Sequence, residues 1–169
     1  MNRLPREVAH LILGYLDDIS LASACSVNRD IRYRVCNNDY WIQKIREKYG
    51  LELDDFVLEP DQSYAAYYFE LHSTFQLRDP TQALKYFSRH GGLDVVKASI
   101  FLGADIEASM FYGAAQNGHY DIIKYLFDQG YQPTTASDRI TLRQAAGEAA
   151  KNNRQDILEL FRSYGYVPL

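Results

Sequence analysis

The sequence predicts an all-α chain in two parts: an N-terminal helical module, then a short stack of helical repeats. Three observations carry that expectation. Between Pro5 and Pro60 there is no other proline, and apolar residues recur at helical spacing with Asp, Asn and Ser in the gaps. Near residues 76–80 the texture changes, and from there glycines punctuate the chain at 91–92, 103, 118, 130 and 165. Three segments of this second half align without gaps. The 169 residues suffice for one ordinary domain or two small ones, and 47% hydrophobic with 24% charged residues is the balance of a folded chain.

The first element spans residues 4–16. Leu4, Val8, Leu11, Ile12, Tyr15 and Leu16 follow the i, i+3, i+4 rule, and Ala9 and Leu13 add apolar surface on the far side. Pro5 suits a first helical turn, where no N–H partner is needed. Such a helix is either the core of a small bundle or carries one side for a partner. Asp17 and Asp18 end it, and Asp18 or Ser20 is expected to cap the next helix. That second helix holds Cys25 among small apolar residues, a packing position rather than a nucleophile; Cys36 reads the same way. Two cysteines exclude a disulfide-built scaffold, form no CxxC pair and have no zinc spacing, so both are expected reduced in an intracellular compartment.

Leu4-Pro5, Glu7-Val8, Ile12, Tyr15-Leu16, Asp17-Asp18, Leu21, Val27-Asn28-Arg29 and Trp41 occur in the order and at the spacing of an F-box. Residues 1–45 thus resemble that family, whose members dock onto the Skp-type adaptor of SCF-type cullin–RING ubiquitin ligases. The resemblance implies an adaptor-binding set of Leu4, Pro5, Val8, Ile12, Leu16, Leu21 and Val27. Ile19 departs from the family, which often has a polar residue there.

Residues 46–79 are expected to connect the halves as helix. Tyr64, Tyr67, Tyr68 and Leu71 share helical spacing, with Phe69 and Phe75 less regular, which suits an aromatic core joining the two parts. A nucleic-acid stacking platform is the other use of such rings, but Glu52, Asp54, Asp55, Glu59, Asp61 and Glu70 would repel phosphate.

The repeated segments occupy residues 80–169. They are GGLDVVKASIFLGADI from Gly91, GHYDIIKYLFDQGYQP from Gly118 and NRQDILELFRSYGYVP from Asn153, at spacings of 27 and 35 residues. Ala114-Ala115 and Ala149-Ala150 sit at equal distance upstream of the second and third, where the first has Phe87-Ser88. Each unit reads as small-residue helix, tight turn, apolar helix, then a glycine suited to a left-handed position. Asp94, Asp121 and Asp156 fall in first turns, where negative charge favours the dipole. Gly118, His119, Asp121, Ile122, Ile123, Lys124, Leu126 and Gly130 match the second helix of an ankyrin repeat, and Gly103-Ala104-Asp105 match its end. The units therefore resemble about three ankyrin-like repeats. No unit carries the TPLH helix start, and the 27-residue spacing implies a connection trimmed to a turn. The pairing of F-box with such repeats resembles proteins of large DNA viruses or intracellular bacteria.

Chemistry has little support. His10, His72, His90 and His119 are scattered, and no GxSxG, GxxxxGK or GxGxxG occurs, so no catalytic residue, cofactor or metal is expected. Eighteen Lys and Arg against twenty-two Asp and Glu give a net charge of −4, without a basic cluster, which argues against nucleic acid. No apolar run is long enough to cross a bilayer, and the start lacks a secretion-signal core; an intracellular place, cytoplasm or nucleus, is expected. The resemblances imply a substrate receptor of a cullin–RING ligase, with an unidentified target on the repeats' concave face. That face would carry Arg89, His90, Gln116, Asn117, Lys151 and Asn152 before the turns, and Glu107, Ser109 and Tyr112 between units. The rival readings are a ligase-independent binder that blocks a partner by occupancy, and an enzyme with an unrecognised site.

Overall fold

The computed structural model describes residues 16–27 and 36–168, and all regular structure among them is helical. Helix α1 (Asp18–Val27) opens behind Asp17, whose carboxylate accepts the Ser20 backbone N–H at 2.7 Å. Asp17 is therefore the cap in place of the expected Asp18 or Ser20. The residue ahead of the first turn is the one whose side chain can fold back onto a free N–H. Helix α2 (Asn38–Tyr49) starts on Asn37, which accepts from the Tyr40 N–H. A single 3₁₀ turn (Leu53–Asp55) leads to α3 (Tyr64–Leu77), capped by Ser63.

Three helix hairpins follow. Helix α4 (Pro80–His90) has Pro80 in its first turn behind an Asp79 cap, and turns at residues 91–92 into α5 (Leu93–Phe101). The second hairpin pairs α6 (Ala108–Asn117) with α7 (Tyr120–Asp128); the third pairs α8 (Ala136–Lys151) with α9 (Gln155–Ser163). Helices α4, α6 and α8 pack side by side as one layer, and α5, α7 and α9 as the other. Ala114, Ala115, Ala145, Ala146 and Ala149 are fully buried, and their lack of bulk lets the α6 and α8 backbones approach. Leu84, Val96, Phe111, Ile123, Leu126 and Phe161 fill the space between the layers.

The turn between paired helices needs a left-handed residue. Gly118 meets this with φ 82°, and the third hairpin places Asn153 there at φ 55°. Asn is among the few side-chain-bearing residues that take this conformation readily. Each turn also reaches back to the hairpin before it. His119 Nε2 donates to the Arg89 carbonyl at 3.1 Å, and the Arg154 guanidinium lies over Gly118. The unequal spacing has a different origin from the expected one. The connections before α6 and α8, residues 102–107 and 129–135, are nearly equal; it is α8, at 16 residues against 10 for α6, that is longer. Short spacing is thus absorbed in helix length, since a connection between layers has a fixed gap to cross.

A second, aromatic core joins α1, α2 and α3 to the first hairpin. Trp41 is buried against Tyr68 and Phe69 at ring separations of 5.3 and 5.5 Å, Tyr49 stacks on Phe75, and Phe56 stacks on Tyr67 at 4.3 Å. Val95 and Ala98 of α5 belong to the same core, and Phe87 of α4 packs against both cores. Two polar contacts reinforce the joint: Tyr67 Oη donates to Asp94 at 2.6 Å, and Lys97 pairs with Asp55 at 2.6 Å, both side chains largely buried. Burial pushes the Asp55 carboxyl up, but the Lys97 hydrogen bond and charge, with the Glu52 N–H, outweigh it and hold the group below the usual range. This pair's stabilisation is present above the free-aspartate pKa and lost as pH falls through the lowered value. The Tyr67 hydroxyl is raised above the tyrosine range, first by burial and then by Asp94.

Tyr67→Phe is expected to cost about 1–2 kcal/mol at neutral pH, because the Asp94 carboxylate loses a buried donor. Urea unfolding checks this. The hydroxyl's contribution is complete below the free-tyrosine pKa of about 10 and declines above it, so wild type and variant should converge at alkaline pH.

Candidate functional site

The N-terminal module contributes two sets of observations. Leu4, Pro5, Val8 and Ile12, expected on an adaptor-binding face, lie outside the described residues, as does the side chain of Val27 within α1. Leu16 is half-buried and packs on the aromatic core. Leu21, expected in the adaptor-binding set, is 0% exposed and packs in the same core as Trp41 and Ile45. The cysteines also differ from expectation. Cys25 and Cys36 form a disulfide, their Cα atoms 5.9 Å apart. The pairing arises because α1 and the entry to α2 fold against one another, bringing the two within bridging distance although they stand eleven positions apart in the chain. Beside the disulfide is a hollow of about 360 Å³ walled by Trp41, Ser63 and Phe69.

The larger feature is a groove of about 600 Å³ between α4 and α6. Its origin is the amphipathic pattern of α4. Ala83, Leu84 and Ser88 are buried toward the core, which turns Gln82, Lys85, Tyr86 and Arg89 outward. On the facing wall, Ser109, Tyr112, Gly113 and Gln116 of α6 complete the groove. Gly113 is essential to its width: a Cβ there would stand 3.2 Å from the Arg89 Cβ, tighter than ordinary packing. Arg78, where the chain leaves α3, enters from one end with its guanidinium 4.6 Å above the Tyr86 ring. Tyr86 also stacks on His90 at 4.2 Å, and His90 Nδ1 donates to the Tyr86 carbonyl.

The groove's charge is one-signed. Arg78, Lys85 and Arg89 line it, with His90, and no carboxylate does. Among the described residues none of those three cations has a carboxylate partner. At the Ser109 end, that hydroxyl donates to Glu107 Oε2 at 3.1 Å, which marks where the acidic surroundings resume. The chain as a whole carries −4, so this concentration of positive charge runs against its own balance.

Of the residues expected on a target-binding strip, the structure brings Arg89, His90, Ser109, Tyr112 and Gln116 together here. The others do not line the groove. Glu107 faces a separate hollow with Asp105 and Asp138. Asn117 donates to the Gly113 carbonyl and Asn152 to the Gln116 carbonyl, so both amides serve the stack. Lys151 pairs with Glu148 one turn back. Sequence reading missed Arg78, Gln82, Lys85 and Tyr86. The signal was available, because positions 82, 85 and 89 recur at i, i+3 and i+7 opposite the apolar stripe of α4.

Among the described residues no group of His, Cys, Asp and Glu could hold a metal ion, and no helix is long and apolar enough to cross a membrane. Comparison with known proteins gives one domain: residues 1–46 match the family model of the F-box-like domain. No curated protein and no solved structure gives a significant match.

The Cys25–Cys36 bridge closes a short loop, and chain-entropy arguments assign such a loop about 2–3 kcal/mol. Unfolding in urea with and without dithiothreitol should differ by that amount. A Cys25→Ser/Cys36→Ser variant should show no such difference.

Proposed function

We propose that the chain is the target-recognition subunit of an SCF-type cullin–RING ubiquitin ligase, working inside the cell. The F-box-like domain at residues 1–46 is the observation that carries this reading, because that domain docks a Skp-type adaptor. The second half is read as three ankyrin-like repeats that hold a target protein. Supporting this are the three hairpins, their back-reaching turns and the groove between α4 and α6.

In this reading the chain performs no chemistry. It raises the effective concentration of a target lysine near a charged ubiquitin carrier. For that task the two binding ends must keep a fixed relation. The aromatic core, the Tyr67–Asp94 hydrogen bond and the Lys97–Asp55 pair supply it by fastening α2 and α3 to the first hairpin.

One observation favours a second reading, in which the N-terminal half is only a cap on the stack and the protein blocks a partner by occupancy. The aromatic core does cover one side of the first hairpin, as a cap would. The two readings separate at Leu4, Pro5, Val8 and Ile12, which a receptor leaves available and a cap buries.

Co-purification with a Skp-type adaptor is expected to give a stoichiometric complex. A Leu4→Asp/Ile12→Asp variant should bind at least about 100-fold more weakly, since each substitution buries an unpaired carboxylate, while its circular dichroism stays that of wild type. Absence of a complex with every Skp-type adaptor tried would leave the cap reading.

A further inference from the structure

We propose that the groove between α4 and α6 takes an extended, acidic peptide segment of a partner protein, with carboxylates at alternate positions. This deepens the target-recognition reading and rests on it for its biological sense, although occupancy of the groove does not need the adaptor.

Charge and spacing carry the proposal. Arg78, Lys85 and Arg89 converge on the groove without a carboxylate among its lining residues. Lys85 and Arg89 lie one turn apart on α4, a rise of about 6 Å. Alternate residues of an extended chain are separated by about 6.6 Å and point the same way. A peptide strand laid along α4 therefore presents every second side chain to successive cations. Its intervening side chains face the other wall, where Tyr112 stands. Gln82 and Gln116, both exposed, offer amide donors and acceptors for the strand's backbone groups. Gly113, on which Arg89 packs, lets α4 and α6 approach closely at the base of the groove.

A protein segment fits these features better than nucleic acid. The chain is acidic overall, and Glu107 stands at the Ser109 end of the groove, so phosphates extending beyond it would be repelled. The groove also has the length of only a few residues, with two tyrosines as walls and an acid-free floor.

Fluorescence anisotropy on the full chain tests the proposal. The probe is a labelled hexapeptide of alternating Glu and Ala. Its controls are the alternating Gln and Ala peptide, a peptide with the same three Glu in one block, and a single-stranded oligonucleotide of equal charge. The alternating Glu peptide should bind at least tenfold more tightly than the Gln peptide and more tightly than the block peptide, and its affinity should fall with added salt. Lys85→Glu/Arg89→Glu should weaken it at least tenfold. Because Arg89 packs on Gly113, Lys85→Gln is the second variant: exposed and without a partner to lose, it should weaken binding severalfold with an unchanged melting temperature. Equal binding of the Glu and Gln peptides, affinity unchanged by both variants, or tighter binding of the oligonucleotide would each overturn the proposal. Both variants should still co-purify with the Skp-type adaptor, so failure of the groove and failure of the ligase reading are scored separately.

Discussion

Trp41 and Tyr68 occupy the contact on which the remaining structure depends. A helix hairpin cannot bury its own apolar face, and the first hairpin has no hairpin before it. Without a cover, Val95 and Ala98 on α5 would face water. Tyr67, Tyr68 and Leu71 of α3 and the rings of α2 provide that cover. At about 25 cal/mol per Å² of apolar surface, such a set of buried aromatic side chains outweighs any single polar contact at the joint. Tyr67–Asp94 and Lys97–Asp55 then select one docking angle among those the rings would allow. The geometry of α4, and with it the groove, follows from that choice.

The groove and the stack are linked through one residue. The carbonyl of Arg89 accepts from His119 and so ties the first hairpin to the second turn, while its side chain lies in the groove against Gly113. A change that loosens the stack at His119 therefore also moves a wall of the groove. The same economy appears at Asn152 and Asn117, whose amides hold helix ends rather than face a partner.

Much of this architecture was legible in the sequence because it is local. The left-handed Gly103, Gly130 and Gly165, the first-turn aspartates and the buried Ala114-Ala115 and Ala149 all follow from residue type and spacing. The aromatic rings of residues 64–71 announced a core by period alone. What was not legible depends on distance through space. Nothing at positions 25 and 36 foretells that α1 and α2 bring them within bridging reach. Leu21 matched a family docking position, yet burial is decided by what packs over it. The expected target strip is divided in space for the same reason. Residues next to the turns were expected in it, but Asn117, Lys151 and Asn152 found partners within the stack, while the outward stripe of α4 supplied the cations.

The length of α8 has a consequence for how the inner helices can be read by another molecule. The C-terminal ends of α6 and α8 are held level, since Asn152 reaches the Gln116 carbonyl. The six residues by which α8 exceeds α6 therefore project at its other end, a difference of about 9 Å. A row of identical units would offer several equivalent seats, and a partner could slide by one unit with little change in energy. Here the two spaces between inner helices differ in the length of their walls, and Arg78, Lys85 and Arg89 line the first. A partner shifted from the α4–α6 groove to the α6–α8 space meets a longer wall and loses Arg78 and Lys85. For an occupant of the proposed groove, the unequal units remove that degeneracy.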